Sequence, residues 1–101
     1  MWAQLIKARL KPGKDMGEVA AQLRAAEQPG SGLVRSMVMR DQKDPDQAYF
    51  LVVFESEEKA RERERDPRRQ EGLQAVRAAM ADIFAGPLEF TDLAVDDEWT
   101  G

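Results

Sequence analysis

The segment Tyr49-Phe50-Leu51-Val52-Val53-Phe54 is an unbroken apolar and aromatic run, with no polar residue at alternate positions. Successive side chains of a strand point to opposite faces of a sheet, so a strand of this composition carries apolar groups on both. An antiparallel sheet with one wetted face alternates polar and apolar residues, and this segment does not. Its sheet must therefore be covered front and back. Helices of the same chain can cover one side. With only four predicted strands in 101 residues, the other side finds a matching sheet only in a second copy of the chain. The expected assembly is a homodimer.

The remaining elements follow from periodicity and turn residues. An extended segment from Trp2 to Leu10 puts Trp2, Ile6, Ala8 and Leu10 on one side and Leu5, Lys7 and Arg9 on the other, and Lys11-Pro12-Gly13 turns it. Met16, Val19, Ala20 and Leu23 fall on one helical face, which predicts a helix over 14–27, stopped by Pro29-Gly30-Ser31-Gly32. A second strand over 33–40 runs into the polar stretch Asp41 to Gln47. That stretch is too short for a crossover helix, so the second and third strands form an antiparallel hairpin.

Ser56 is placed to cap a helix beginning at Glu57. Between Glu55 and Glu71, seven acidic and six basic residues interleave. Glu57 and Arg61 stand at i,i+4 and Glu62 and Arg65 at i,i+3, the pattern of a solvated helix with weak surface pairs rather than of a docking surface. Asp66-Pro67 starts another helix, whose stripe is Leu73, Val76, Met80, Ile83 and Phe84, and Gly86-Pro87 ends it. In the last strand, 88–95, Leu88 and Phe90 are out of phase with Leu93 and Val95, which predicts a bulge near Thr91-Asp92. The whole reads as one α+β domain over 1–95 with an acidic tail at 96–101. Its plan is a ferredoxin-like split βαβ with a four-stranded antiparallel sheet.

Composition removes several chemistries. The chain has no cysteine and no histidine, so thiol nucleophiles, disulfides, Cys/His zinc sites, histidine triads and histidine-ligated haem are excluded. No acidic segment has the spacing of a calcium loop, and no metal is expected. A net charge of -4 with no free-standing basic cluster argues against nucleic acid. The absence of a long apolar run argues against a membrane span, and the expected location is the cytoplasm.

The sequence resembles the antibiotic biosynthesis monooxygenase-like family of dimeric α+β barrel proteins. The resemblance is carried by Lys11-Pro12-Gly13, the Gln28-Pro29-Gly30 turn, the block from Tyr49 to Glu58, Asp66-Pro67 between two helical pieces, and Ala85-Gly86-Pro87. It implies a cofactor-free monooxygenase acting on a small aromatic or quinol-type ligand in a pocket between the sheet and its helices. It equally admits a non-catalytic dimeric binding or accessory protein. Haem-degrading members carry an asparagine, a tryptophan and a histidine where this chain has Lys7, Arg63 and Gly72, so that activity is not expected. The residues assigned to the pocket on this resemblance are Leu23, Met37, Met80 and Phe84 as apolar lining and Lys7, Arg35 and Tyr49 as polar groups. No cofactor is expected.

Overall fold

A computed structural model describes residues 1–101, and the elements appear in the predicted order. They are β1 (Trp2–Arg9), α1 (Gly17–Ala26), β2 (Leu33–Arg40), β3 (Gln47–Phe54), α2 (Glu57–Glu64), α3 (Pro67–Ile83) and β4 (Glu89–Ala94). The four strands make one sheet in the order β2-β3-β1-β4, and every neighbouring pair is antiparallel. The fold is thus α+β with a four-stranded antiparallel sheet and three helices. None of the helices is long and apolar enough to cross a membrane.

Local chemistry accounts for most boundaries. The Ser56 hydroxyl accepts from the Lys59 N–H at 3.1 Å, and the Asp66 carboxylate accepts from the Arg68 N–H at 2.9 Å with Pro67 opening α3. The first helix starts later than its periodicity predicts. Lys14 N–H is taken by a turn to the Lys11 carbonyl, and the Asp15 carboxylate accepts from the Gly17 N–H at 2.8 Å. Phe84 lies beyond α3, in extended backbone.

The predicted bulge at Thr91-Asp92 is absent, since β1 and β4 pair without interruption from Trp2 opposite Ala94 to Lys7 opposite Glu89. The phase change arises because β4 carries apolar groups on both faces, Phe90 toward the helices and Leu93 away from them. The irregularity lies instead between Leu33 and Arg35 in β2. It follows Gly32, whose φ is +82° and where a Cβ would stand 2.6 Å from the Cβ of Lys59. The surface pairs on α2 also differ in part: Glu57 does meet Arg61 at 3.3 Å, whereas Glu62 meets Lys59 at 3.9 Å rather than Arg65.

All three helices cover one face of the sheet, the face of Ile6, Ala8, Phe50 and Val52. The buried core gathers at one end of that layer, where Ala8, Ala48 and Phe50 of the sheet meet Met16, Val19 and Ile83. The opposite face bears Leu5, Leu51, Val53 and Tyr49 with Met37, Met39 and Leu93. On a single chain this face is open, and Met37 and Met39 are 37% and 39% exposed.

The helices α1 and α3 cross where Gly72 meets Ala26, and a Cβ on Gly72 would lie 2.8 Å from the Cβ and 3.1 Å from the Cα of Ala26. Gly72→Ala is therefore expected to destabilise the protein by about 1–3 kcal/mol in denaturant titration. Helix propensity alone would stabilise it by about 1 kcal/mol, so a gain in midpoint would show that the crossing is not tight.

A cleft between the sheet and the helices

Away from the packed end, the space between sheet and helices is a cleft of about 690 Å³. Its floor is the helix-facing side of the sheet, including Gln4, Ile6, Val38, Val52 and Phe90. Its walls are Leu23, Arg24 and Glu27 of α1, Ala60, Arg63 and Glu64 of α2, and Arg69, Leu73, Arg77 and Met80 of α3. Of twenty-three lining residues fifteen are hydrophobic, which makes an apolar chamber with a few charged groups in its walls. Another hollow, of about 780 Å³, lies beside the β2–β3 hairpin between Met16 and Arg40, but it is wider open and half of its lining is polar.

The cleft exists because of what α2 lacks. Ala60 is its only apolar residue and is buried, so residues three and four positions further on share its inward face. Those are Arg63 and Glu64. Arg63 cannot fill space as a leucine would, and it reaches across to Glu27 instead, donating from Nε at 3.0 and 3.2 Å and from Nη2 at 2.6 Å. Its guanidinium also lies 5.3 Å from the centre of the Phe54 ring.

This pair is not a surface ornament, since the Arg63 and Glu27 side chains are only 13% and 23% exposed. Burial acts to raise the Glu27 carboxyl. The hydrogen bonds and charge of Arg63, with smaller help from Ser31 and Arg69, outweigh it and hold the group below the usual carboxylate range. Glu64 is engaged from the surface side by Arg61 at 3.3 Å.

The structure divides the residues assigned to the pocket. Leu23 and Met80 line the cleft. Phe84 packs edge-on to Phe50 with ring centres 6.5 Å apart and belongs to the packed end. Lys7, Arg35, Met37 and Tyr49 lie on the other side of the sheet and do not reach the cleft. Lys7 and Met39 pair across the sheet with Tyr49, Met37 with Leu51, and Arg35 with Val53, all positions facing away from the helices. The reason is strand parity: each is one residue out of step with Ile6, Val38 or Phe50. Of the polar groups that do line the cleft, Arg63 and Arg69 are hidden in the charged stretch from Glu55 to Glu71 that reads as solvated surface, and Glu27 and Arg77 stand beside the apolar stripes of their own helices. The spacing of Arg63 from Ala60 was the available sign.

No family model matches the sequence, and no curated protein matches it. Solved structures do share its fold. A candidate antibiotic biosynthesis monooxygenase from Chloroflexus aurantiacus is 24% identical, with all of both chains covered and a TM-score of 0.65. Rv0793 from Mycobacterium tuberculosis is 15% identical over 98% of each chain, with a TM-score of 0.72. SnoaB, a cofactor-independent oxygenase from Streptomyces nogalater, is 17% identical over 96% of this chain and 94% of its own, with a TM-score of 0.69. The chain therefore has the fold of the antibiotic biosynthesis monooxygenase-like proteins. At these identities the likeness is one of architecture, and any activity has to be argued from the cleft.

The Glu27–Arg63 pair has a signature in acid. Because the folded Glu27 value is lowered, its contribution is complete above the ordinary glutamate pKa, about 4.3, and fades as pH falls through the folded value. Arg63→Met, which keeps an apolar stem over Phe54, is expected to cost about 1.5–3 kcal/mol near neutrality. The gap from wild type should close in urea titrations repeated at falling pH. A gap that stays constant to strongly acid pH would show that the loss is packing rather than charge.

Proposed function

We propose that the protein binds a small aromatic or quinol-type ligand in this cleft and acts on it as a cofactor-independent monooxygenase. The observation that carries the reading is the cleft itself. A volume of about 690 Å³ with a mostly apolar lining suits a flat aromatic body, and the charged groups come from the helices, none from the sheet floor. The shared fold with SnoaB supports the reading from outside the chain.

The chemistry would draw its electrons from the substrate. Loss of a phenolic proton makes an electron-rich anion whose ring carbon reacts with dioxygen. One oxygen atom ends on that carbon as a carbonyl in place of two hydrogens, and the other leaves as water with them. The residues of the cleft contribute by excluding water around the ring and by favouring the anion through nearby guanidinium groups.

One feature of the wall favours a second reading, a non-catalytic ligand-binding protein of the same fold. The Glu27 carboxylate is taken up by its hydrogen bonds to Arg63 and held below the usual carboxylate range, Glu64 is paired with Arg61, and the chain has no histidine. In the oxygenase reading the proton must pass to solvent. Oxygen-electrode measurements with a panel of quinols and anthrones separate the two. Turnover with one dioxygen consumed per product, lost in Met80→Trp where the cleft is filled, is the expected result. Tight binding without oxygen uptake would leave the binding protein.

The proposed assembly is a homodimer joined through the outer sheet face, with Met37, Tyr49, Lys7 and Arg35 serving the interface. The exposure of Met37, Met39 and Leu93 on a single chain supports it. Sedimentation equilibrium at micromolar concentration is expected to give twice the chain mass. Met37→Asp, which puts a charge in the middle of the face, is expected to shift it toward one. A single-chain mass for the wild type would end the proposal.

A further inference from the structure

The chain as a whole is negative, yet the helical wall of the cleft is positive. Four arginines, Arg24, Arg63, Arg69 and Arg77, stand on it against two glutamates, Glu27 and Glu64. Both glutamates are already taken, Glu27 by Arg63 at 2.6 Å and Glu64 by Arg61, which approaches from outside the cleft. Arg24, Arg69 and Arg77 take part in none of the ion pairs of the protein.

Arg69 is the most telling of these. It is half-buried at the start of α3, and its guanidinium makes no side-chain hydrogen bond to the protein. Burial, and after it the like charge of Arg63, holds the group below its ordinary value; attraction to Glu27 and Glu64 does not make up the difference, and Arg77 adds further repulsion. A guanidinium in this position is partly desolvated beside a like charge, with no ion pair in the folded chain. Desolvated, unpaired charge of this kind is what an anionic partner would relieve.

We infer that the cleft is built for an aromatic carboxylate: the ring system lies over Ile6 and Val52 on the apolar floor, and the carboxylate is received by Arg69, with Arg77 beside it. The planar fork of a guanidinium matches the two oxygens of a carboxylate, which is the reason to expect this anion rather than a single diffuse charge. The inference rests on the reading that the cleft takes an aromatic ligand and adds to it the permanent charge such a ligand carries.

The test compares naphthoate with naphthamide, which share the ring and differ in the charge, by fluorescence titration at low salt. The wild type is expected to bind naphthoate at least about tenfold more tightly. Arg69→Gln should remove most of that preference by weakening naphthoate far more than naphthamide, the remainder resting on Arg77. Since Arg69 makes no hydrogen bond or ion pair, and its attraction to Glu27 is offset by repulsion from Arg63, the ligand-free variant should melt close to the wild-type temperature. Should Arg69→Gln nevertheless fold poorly, the wild-type preference and its reduction in Arg77→Gln decide the matter. Equal binding of the two ligands by the wild type would overturn the carboxylate assignment and leave the aromatic cleft standing. Binding of neither would overturn both.

Discussion

The structure depends on one strand being apolar on both of its sides. In β3, Ala48, Phe50 and Phe54 are buried on the helix side, and Tyr49, Leu51 and Val53 present a second apolar row to the other. Because the pleat alternates strictly, no shift of register can hide both rows within a single helical layer. The helices therefore settle one half of the problem. The proposed second copy settles the other, and β2 and β4 extend the apolar outer face on either side of the central pair.

What happens on the helix side is a consequence of unequal helices. The helices α1 and α3 approach closely enough for Gly72 to touch Ala26, and their apolar residues complete the core around Phe50 and Val19. The short α2 has only Ala60 to offer, and the inward positions next to it are an arginine and a glutamate. Space that would be filled by large apolar side chains stays open, and the Arg63–Glu27 pair spans the edge of it. The cleft and most of its positive wall thus share an origin, the charged composition of the chain from Glu57 to Arg77, to which α1 adds Arg24.

Much of this architecture was legible in the sequence because its signals are local. Ser56 and Asp66-Pro67 start helices through groups within three residues of themselves, and the glycines at 13, 30 and 32 occupy positive-φ turns that other residues avoid. The site was less legible because it depends on which way a side chain faces across elements distant in sequence. The resemblance assigns Lys7, Arg35, Met37 and Tyr49 to the pocket although Lys7 and Tyr49 differ in parity from Ile6 and Phe50. Strands with apolar residues on both sides give no polar face to read direction from. Arg63 and Arg69 were lost for the opposite reason. In a segment where nearly every residue is charged, the inward-facing charges look like all the others.

In the proposed dimer the outer face of the sheet is covered in solution. This coverage can be read from the methyl groups of Met37 and Met39 by nuclear magnetic resonance in the presence of a soluble gadolinium chelate, with the exposed Met1 as the wetted reference. The Met37 and Met39 methyls are expected to be protected while Met1 relaxes rapidly. Relaxation of all three at the same rate would mean that the second apolar row of β3 lies open to water, contrary to the constraint from which the rest is built.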